Sequence, residues 1–399
     1  MQAMTTEARD LAARVRAVAQ QAGASAVAIA DAAADGVTQA RMRAAFARGD
    51  FTTWRYDDAY AASAAEPASI LPGARSVVCV AVAYATNARS YIRPMPLAGR
   101  VSNYAWSQDY HRRVRDVLAQ VAAMLDASAG ECATRIVCDT MPFAERTFAA
   151  RAGLGWIGKH TNLIAPKFGS FVFLGEIVTT LQLEADAPLT KSCGSCARCV
   201  DVCPTGALRG DATIDARLCI SDLTQRTDAV PAELRPLVGT WIWGCDLCQE
   251  ACPPTRLAGF TGDDAFAPRS DDQAHPNLPA LLRLRSSTFK RRFRGTAMGW
   301  RGAAVLRRNA AVALGNALDR SAVPALAESL AADPHPLVRG HAAWALGRIG
   351  SPRALAALRE RQPAESDDGV RRAIGAALKS WETFTCAGAL EARRTSSAT

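Results

Sequence analysis

Eight of the twelve cysteines in this 399-residue chain fall between residues 193 and 252, and their spacing constrains the fold more than any other feature. In CGSCARCVDVCPTGA, Cys193, Cys196, Cys199 and Cys203 stand at C-x2-C-x2-C-x3-C before Pro204. That is the bacterial ferredoxin spacing, in which the fourth thiolate reaches a neighbouring 4Fe–4S cluster. A second run, Cys245, Cys248 and Cys252 before Pro253, repeats the x2 and x3 intervals but lacks one ligand, and Cys219 is the spare thiol between the runs. Two clusters need eight thiolates. The count closes with Cys193, Cys196, Cys199 and Cys252 on one cluster and Cys203, Cys219, Cys245 and Cys248 on the other, because each cysteine before proline lies past the loop that wraps its own cluster. A four-thiolate zinc site is the alternative, since two C-x2-C pairs suffice, but it leaves the third x2 cysteine and the crossover ligand without a role. The other cysteines, Cys79, Cys132, Cys138 and Cys386, are scattered and read as small buried hydrophobes.

Ligand thiols rather than disulfides are expected because the chain reads as cytoplasmic. MQAMTTEARD has no basic segment leading into an apolar run, and no stretch approaches the roughly 18 apolar residues of a membrane span. The formal net charge is +9. Its distribution says more. From Gln273 to Leu318 there is no Asp or Glu, while Arg283, Arg285, Lys290, Arg291, Arg292, Arg294, Arg301, Arg307 and Arg308 all fall inside. Such a stretch is either a solvated helix face or a surface for a polyanion.

Residues 1–185 alternate helix and strand signals. Leu11, Val15, Val18 and Ala22 recur at helical spacing up to Gly23, and SAVAIA follows as a short strand. SVVCVAVAY reads as a buried strand, and Val114, Val117, Leu118, Val121, Met124 and Leu125 form the stripe of an amphipathic helix. TRIVCD and SFVFLGEIVTTLQL supply further strands. The alternation predicts an α/β domain over 1–185, followed over 186–260 by a module that ligation must help to fold. After a polar linker near Thr261–Pro279, LRRNAAVALGN, VRGHAAWALGR and VRRAIGAALKS open at Leu306, Val338 and Val370, each 32 residues after the last. That period, with Pro324, Pro336 and Pro352 near the turns, predicts stacked helix pairs of the HEAT type over 280–385. Coincidence in an alanine-rich stretch is the competing explanation. Residues 386–399 are expected to be a disordered tail.

An electron-transfer module needs a terminus. CDTMPFAERTFAARAGLGWIGKHTNLI puts Asp139 just after the strand TRIVC, and Gly153, Gly155 and Gly158 around Trp156, where backbone can approach a flat ligand. As G-x-G-x-x-G the segment follows a helix instead of a strand, so it fails as a dinucleotide fingerprint. Taken alone, Asp139 also reads as a helix cap.

SNYAWSQDYHRRV, Asp139 with ERTFAARAGLGWIGKHTNLI, the two cysteine runs, CISDLTQ and the RNAAVALGN/AAWALG repeats occur together and in order from about Ala8 to Leu378. In this combination the chain resembles the epoxyqueuosine reductases, a family similar in organisation to the reductive dehalogenases. The resemblance implies an α/β cobalamin-binding domain joined to a bacterial-ferredoxin-like module with two 4Fe–4S clusters and a C-terminal all-α HEAT-like domain that binds tRNA. It implies reduction of epoxyqueuosine to queuosine at the wobble position, 34, of tRNA, the last step of queuosine biosynthesis. Cob(II)alamin would be reduced through the clusters to a cobalt(I) nucleophile, with electrons from an external low-potential donor. Asp139 would give the proton to the departing oxygen, and a partly buried, apolar setting between Cys138 and Pro142 would raise its pKa for that task.

The family positions toward cobalamin correspond to Ser102, Asp139, Leu163, Leu174, Gly244, Cys245 and Asp246. Ser221, Arg291, Arg292 and Arg294 are the expected tRNA contacts, with Trp241 or Trp243 stacking on a splayed nucleotide. The Asp-x-His-x-x-Gly pattern of some cobalamin proteins is absent, so no histidine is placed below the cobalt. His111 and His160 read as surface or supporting residues. Three positions depart from the family pattern: Ala64 where relatives carry Arg, Asp222 where they carry an aromatic, and His160 where Asn is common. A monomer with no membrane attachment is expected. Two other functions account for parts of the pattern. A non-catalytic ferredoxin-type electron carrier needs neither a corrinoid nor Asp139, and a dehalogenase-like reductase of small molecules makes the basic stretch incidental.

Overall fold

The computed structural model describes residues 6–51, 54, 56–86, 96–129, 133–260 and 262–381. They form two compact units that exchange chain segments: one draws on residues within 1–91, 106–219 and 246–269, the other on residues within 92–105, 220–245 and 270–399. The segment 186–260 is therefore shared. Cys245 ends a stretch of the second unit, and the other seven cysteines of the two runs and their spare belong to the first. Cys132, Cys386 and the tail over 386–399 lie outside the described residues. No helix among the described residues is long and apolar enough to cross a membrane.

In chain order the strands are β1 (Ala26–Asp31), β2 (Ser76–Ala83), β3 (Arg100–Val101), β4 (Thr134–Val137), β5 (Trp156–Ile157), β6 (Leu163–Ile164), β7 (Val172–Thr179) and β8 (Trp241–Trp243). The first unit is built on the sheet β1-β2-β7-β4. Alternating helices and strands usually give a parallel sheet, but every pairing in this one is antiparallel. The excursion through α2 (Gly36–Ala47) and α3 (Asp58–Ala64) returns to the end it left, so that Asp31 pairs with Ser76. Helices α1 (Thr6–Ala22) and α4 (Tyr110–Ala129) pack together, α4 against the sheet, and α5 (Glu145–Arg151) packs on β1, β2 and β7. Gly175 of β7 admits α4, because a Cβ there would lie 2.7 Å from side-chain carbons of both Val114 and Leu118. The buried line of α1 is Ala8, Ala12, Val15, Ala19 and Ala22; Leu11 and Val18, expected on the stripe, flank it instead. The stripe of α4 is as expected except that Ala122 replaces Met124 among the buried residues.

In the second unit β3 lies parallel to β8, and the helices Ala303–Ala317, Val323–Ala332, Pro336–Ile349 and Pro352–Arg361 stack as HEAT-type pairs. The 32-residue period is physical. Arg307 forms a buried ion pair with Asp333 (2.7 Å), and Arg339, one period on, forms the same pair with Glu365 (2.7 Å). The hydrogen bond from Arg339 pulls the Glu365 pKa down to about 2. Removing one partner of such a pair typically costs about 3–5 kcal/mol, so each rung fixes the register of its repeat. The glycines repeat as well: a Cβ on Gly315 would lie 2.9 Å from Ala345, and one on Gly347 would lie 2.5 Å from Ala377.

The first repeat differs from the others in what it clamps. Arg308, fully buried, donates to the carbonyls of Leu223, Arg226 and Asp228, and Asn309 donates to those of Thr224 and Ile242. Asn316 holds the carbonyls of Arg235 and Gly239. Arg307 and Arg308 are thus neither a solvated face nor a polyanion surface. They anchor the fold.

Candidate functional site

Asp139 stands two residues past β4 with φ +56°, in the left-handed region that Asp tolerates better than most residues. Glu145, the first residue of α5, accepts the Asp139 backbone N–H at 2.5 Å. The Asp139 carboxylate accepts a hydrogen bond from Tyr110 Oη (2.5 Å) and lies 3.5 Å from His111 Nε2, an ion-pair distance rather than a hydrogen bond. His111 is held from its other side, with Nδ1 2.5 Å from Asp109. Tyr110 is fixed by stacking on Phe173 and on the His111 ring, both at 4.2 Å.

These contacts decide the protonation. His111 and Tyr110 hold the Asp139 carboxyl below its ordinary value against the opposing effect of desolvation. Its side chain is still 60% exposed, so burial is the weaker influence. The expected rise of the Asp139 pKa is not what the surroundings give, because an imidazole and a hydroxyl replace the apolar setting read from the flanking residues. His111 moves the other way, raised chiefly by Asp139 and further by Asp109. Tyr60 and Tyr56, whose rings are 4.4 Å apart, also feel the Asp139 charge, and burial pushes Tyr56 up to about 12.

Leu163 belongs to the apolar cluster that contains Val137 and Phe148, on the same side of the sheet as α5, and Leu174 packs against it. Beside them runs the glycine-rich segment, tied to α5 by Arg146, which donates to the Thr161 carbonyl at 2.8 Å. The glycines serve the chain itself instead of admitting a ligand: a Cβ on Gly153 would lie 2.2 Å from the Ala187 carbonyl oxygen, and one on Gly155 2.4 Å from that of Ile164. His160 is buried, not on the surface, and burial pulls its pKa down to about 4. Its Nδ1 accepts the Asn162 N–H, so Nε2 carries the proton. That N–H and the Trp156 indole N–H are buried donors without a hydrogen-bond partner among the described residues.

Cys199 feels Cys193 and Cys252, and Cys252 feels Cys193 and Cys196, which draws these four thiols together; Cys248 feels Cys219 first among the thiols, then Cys199 ahead of Cys203. Burial raises Cys199, Cys248 and Cys252 as free acids, and cluster iron would reverse that by holding them as thiolates. The short helices Arg198–Asp201 and Leu247–Glu250, which carry Cys199 of the first run and Cys248 of the second, pack on each other. Among the described residues no three metal-binding side chains surround a single point as a mononuclear site requires. A cubane spreads its thiolates over four separate irons.

In the second unit Ser102 and Gly244 are neighbours. The Ser102 N–H bonds the Trp243 carbonyl, and a Cβ on Gly244, whose φ is +66°, would lie 2.5 Å from Ser102 Cβ. Thr224 Oγ1 accepts the Gly244 N–H at 2.9 Å. In the first unit Asp246 is buried and accepts from the Gln249 amide at 3.2 Å. Trp241 and Trp243 are buried, so neither offers a face for stacking; Trp241 lies under Arg100 at 4.0 Å. Trp300, half-exposed beneath Arg301 at 3.6 Å, is the aromatic that the sequence reading passed over. Asp222 is buried 3.5 Å from Arg226, which explains an acid where an aromatic is usual: it neutralises a buried guanidinium. Ala64 is buried too, and its carbonyl accepts the Ala144 N–H. Ser221 is half-buried at the start of helix Ile220–Gln225. Arg291 and Arg294 are exposed, while Arg292 is paired with Asp272.

Residues 192–255 match the model of the 4Fe–4S double cluster binding domain, 65–140 that of epoxyqueuosine reductase QueG, DUF1730, and 302–379 that of HEAT repeats. An epoxyqueuosine reductase of Xanthomonas campestris pv. campestris is 38% identical over 346 residues, covering 86% of this chain and 97% of that one. One of Bacillus cereus is 35% identical over 319 residues, 78% of this chain and 83% of its own. A crystal structure of epoxyqueuosine reductase with an epoxyqueuosine-modified tRNA-Tyr stem loop superposes with a TM-score of 0.87 at 31% identity, covering 94% of this chain and 99% of that one. The Bacillus subtilis reductase has been solved with its catalytic aspartate loop swung out of the active site; its TM-score is 0.85 at 30% identity, with 93% and 98% covered. Relatives of this identity and coverage place the chain in the epoxyqueuosine reductase family.

Proposed function

We propose that this chain reduces epoxyqueuosine to queuosine at the wobble position of tRNA. The observation that carries the reading is the Tyr110–Asp139–His111 arrangement at the end of β4, in a chain that also holds the double-cluster cysteines. Removing an epoxide oxygen as water takes two electrons and two protons, so an electron path and an acid must serve one site.

Asp139 and His111 titrate as a pair, because each shifts the other: the carboxyl is lowered and the imidazole raised. Tyr110 orients the carboxylate, Asp109 holds the imidazole, and the proton passes from the pair to the oxygen as its carbon–oxygen bond opens. The iron–sulfur ligands divide as Cys193, Cys196, Cys199 and Cys252 against Cys203, Cys219, Cys245 and Cys248. The mutual interactions of Cys199 and Cys252 with Cys193 and Cys196 support the first set, and that of Cys248 with Cys219 supports part of the second; the places of Cys203 and Cys245 rest on spacing.

Cobalamin fits the residues present. Its rim of amide carbonyls would satisfy the unpartnered Trp156 and His160 donors, and Leu163 and Leu174 supply apolar contact. When bound, it would supply the low-potential two-electron reductant. The assignments of Ser102, Gly244, Cys245 and Asp246 to the same cofactor rest on the family resemblance alone.

The deciding experiment is anaerobic reconstitution with iron, sulfide and cobalamin, followed by mass spectrometry of tRNA bearing epoxyqueuosine. Conversion to queuosine is expected. A chain that retains iron but neither binds cobalamin nor converts the tRNA would be an electron carrier.

Exposed cations contact RNA through phosphates. Reversing Arg291 and Arg294 to Glu, and leaving the paired Arg292 alone, should weaken tRNA binding and flatten its salt dependence by roughly 0.7 in slope per lost contact. An unaltered slope would return these arginines to a merely solvated face.

A further inference from the structure

Glu176 interrupts the apolar strand β7 and is fully buried. It pairs in register with Cys79 of β2 and Val137 of β4, and so shares the face that α5 covers. Neither of its carboxyl oxygens has a hydrogen-bond partner among the described residues. The charge it feels is that of Glu145, whose own oxygen accepts the Asp139 backbone N–H. Glu145 heads α5, which packs on β7, and so stands between the sealed acid's strand and the left-handed turn that carries Asp139.

A buried carboxylate without a partner is disfavoured far more strongly than its neutral acid, so Glu176 is protonated and Glu145 can remain the acceptor. We propose that Glu176 stays protonated, and that its neutrality lets Glu145 remain the acceptor that keeps the Asp139 turn in its left-handed conformation. Should the proton leave, two buried carboxylates repel, and Glu145, the more accessible, releases the Asp139 N–H. Burial pushes Glu145 up to about 7 and Glu176 well above the carboxylate range, which agrees with the geometry. The other groups around the pair are the Cys79 and Cys138 thiols, which burial holds neutral, and the charged Asp139, Arg146 and His111. Both glutamates are positioning residues, because they reach the reacting oxygen only through Asp139. The inference deepens the proposed function and rests on it only for the kinetic readout.

The test uses the reconstituted holoprotein. Infrared spectra in water and deuterium oxide at pH 7 should show a protonated-carboxyl carbonyl band that is absent in Glu176→Gln and retained in Glu145→Gln. In single-turnover reduction, the amide of Glu176→Gln cannot ionise. The ratio of its rate to that of the wild type should therefore climb about tenfold per pH unit above the ionisation of Glu176. A wild type without the band, a band that survives Glu176→Gln, or superimposable pH profiles would overturn the proposal. If the chain reduces no epoxyqueuosine at all, the infrared result still decides the protonation of Glu176, and the two ideas fail separately.

Discussion

Asp139→Asn is expected to lower single-turnover reduction of epoxyqueuosine by about 10²–10⁴-fold, the range that positioned acid catalysis supplies. The amide keeps the size of the side chain and can still accept from Tyr110, but it has no proton to give. Iron content, cobalamin retention and tRNA affinity should be unchanged, which separates loss of chemistry from loss of binding. A rate within a few-fold of wild type would remove Asp139 as the acid. The pH dependence carries the same argument further. His111 is raised above its ordinary value, so its proton persists to higher pH, and the rate should fall as pH rises through that raised pKa. In His111→Gln the fall should begin at lower pH, because Asp139 alone gives up its proton in the carboxylate range.

The second large effect lies in the crossed ligand sets. Cys252→Ala should cost the cluster wrapped by the first cysteine run, although Cys252 belongs to the second. Cys219→Ala and Cys203→Ala should both cost the other cluster. In each case iron should fall from about eight to about four per chain, with loss of the magnetic coupling between two reduced clusters, and turnover should vanish. The decisive comparison is Cys203→Ala with Cys199→Ala. If these two, four residues apart, remove the same cluster, the crossover is wrong.

Much of this was legible because ligation and repetition leave rigid marks in a sequence. Cysteine intervals are set by the geometry of a cluster, and a 32-residue period must return the same faces to the same contacts. The acid network was less legible. Tyr110, His111 and Asp139 are separated by a whole helix and a strand, so no local pattern joins them; only the fold brings α4 beside the end of β4. One mark was available: Glu176 is the lone charged residue in the eight-residue strand VFLGEIVT, a cost that a sequence rarely carries without a reason. The reversed shift at Asp139 has the same origin. Its sequence neighbours are apolar, but its spatial neighbours are a hydroxyl and an imidazole. The glycines around Trp156 misled in the opposite sense, since their missing side chains make room for the chain's own carbonyls.

The Arg307–Asp333 and Arg339–Glu365 rungs have a consequence for how such an arm can change length. A whole inserted period would present each guanidinium to a new acid and leave every match intact, whereas any other increment would strand a charge inside the stack. Reach is thereby quantised. An arm built this way lengthens or shortens in discrete notches, and drift by single residues is confined to its turns.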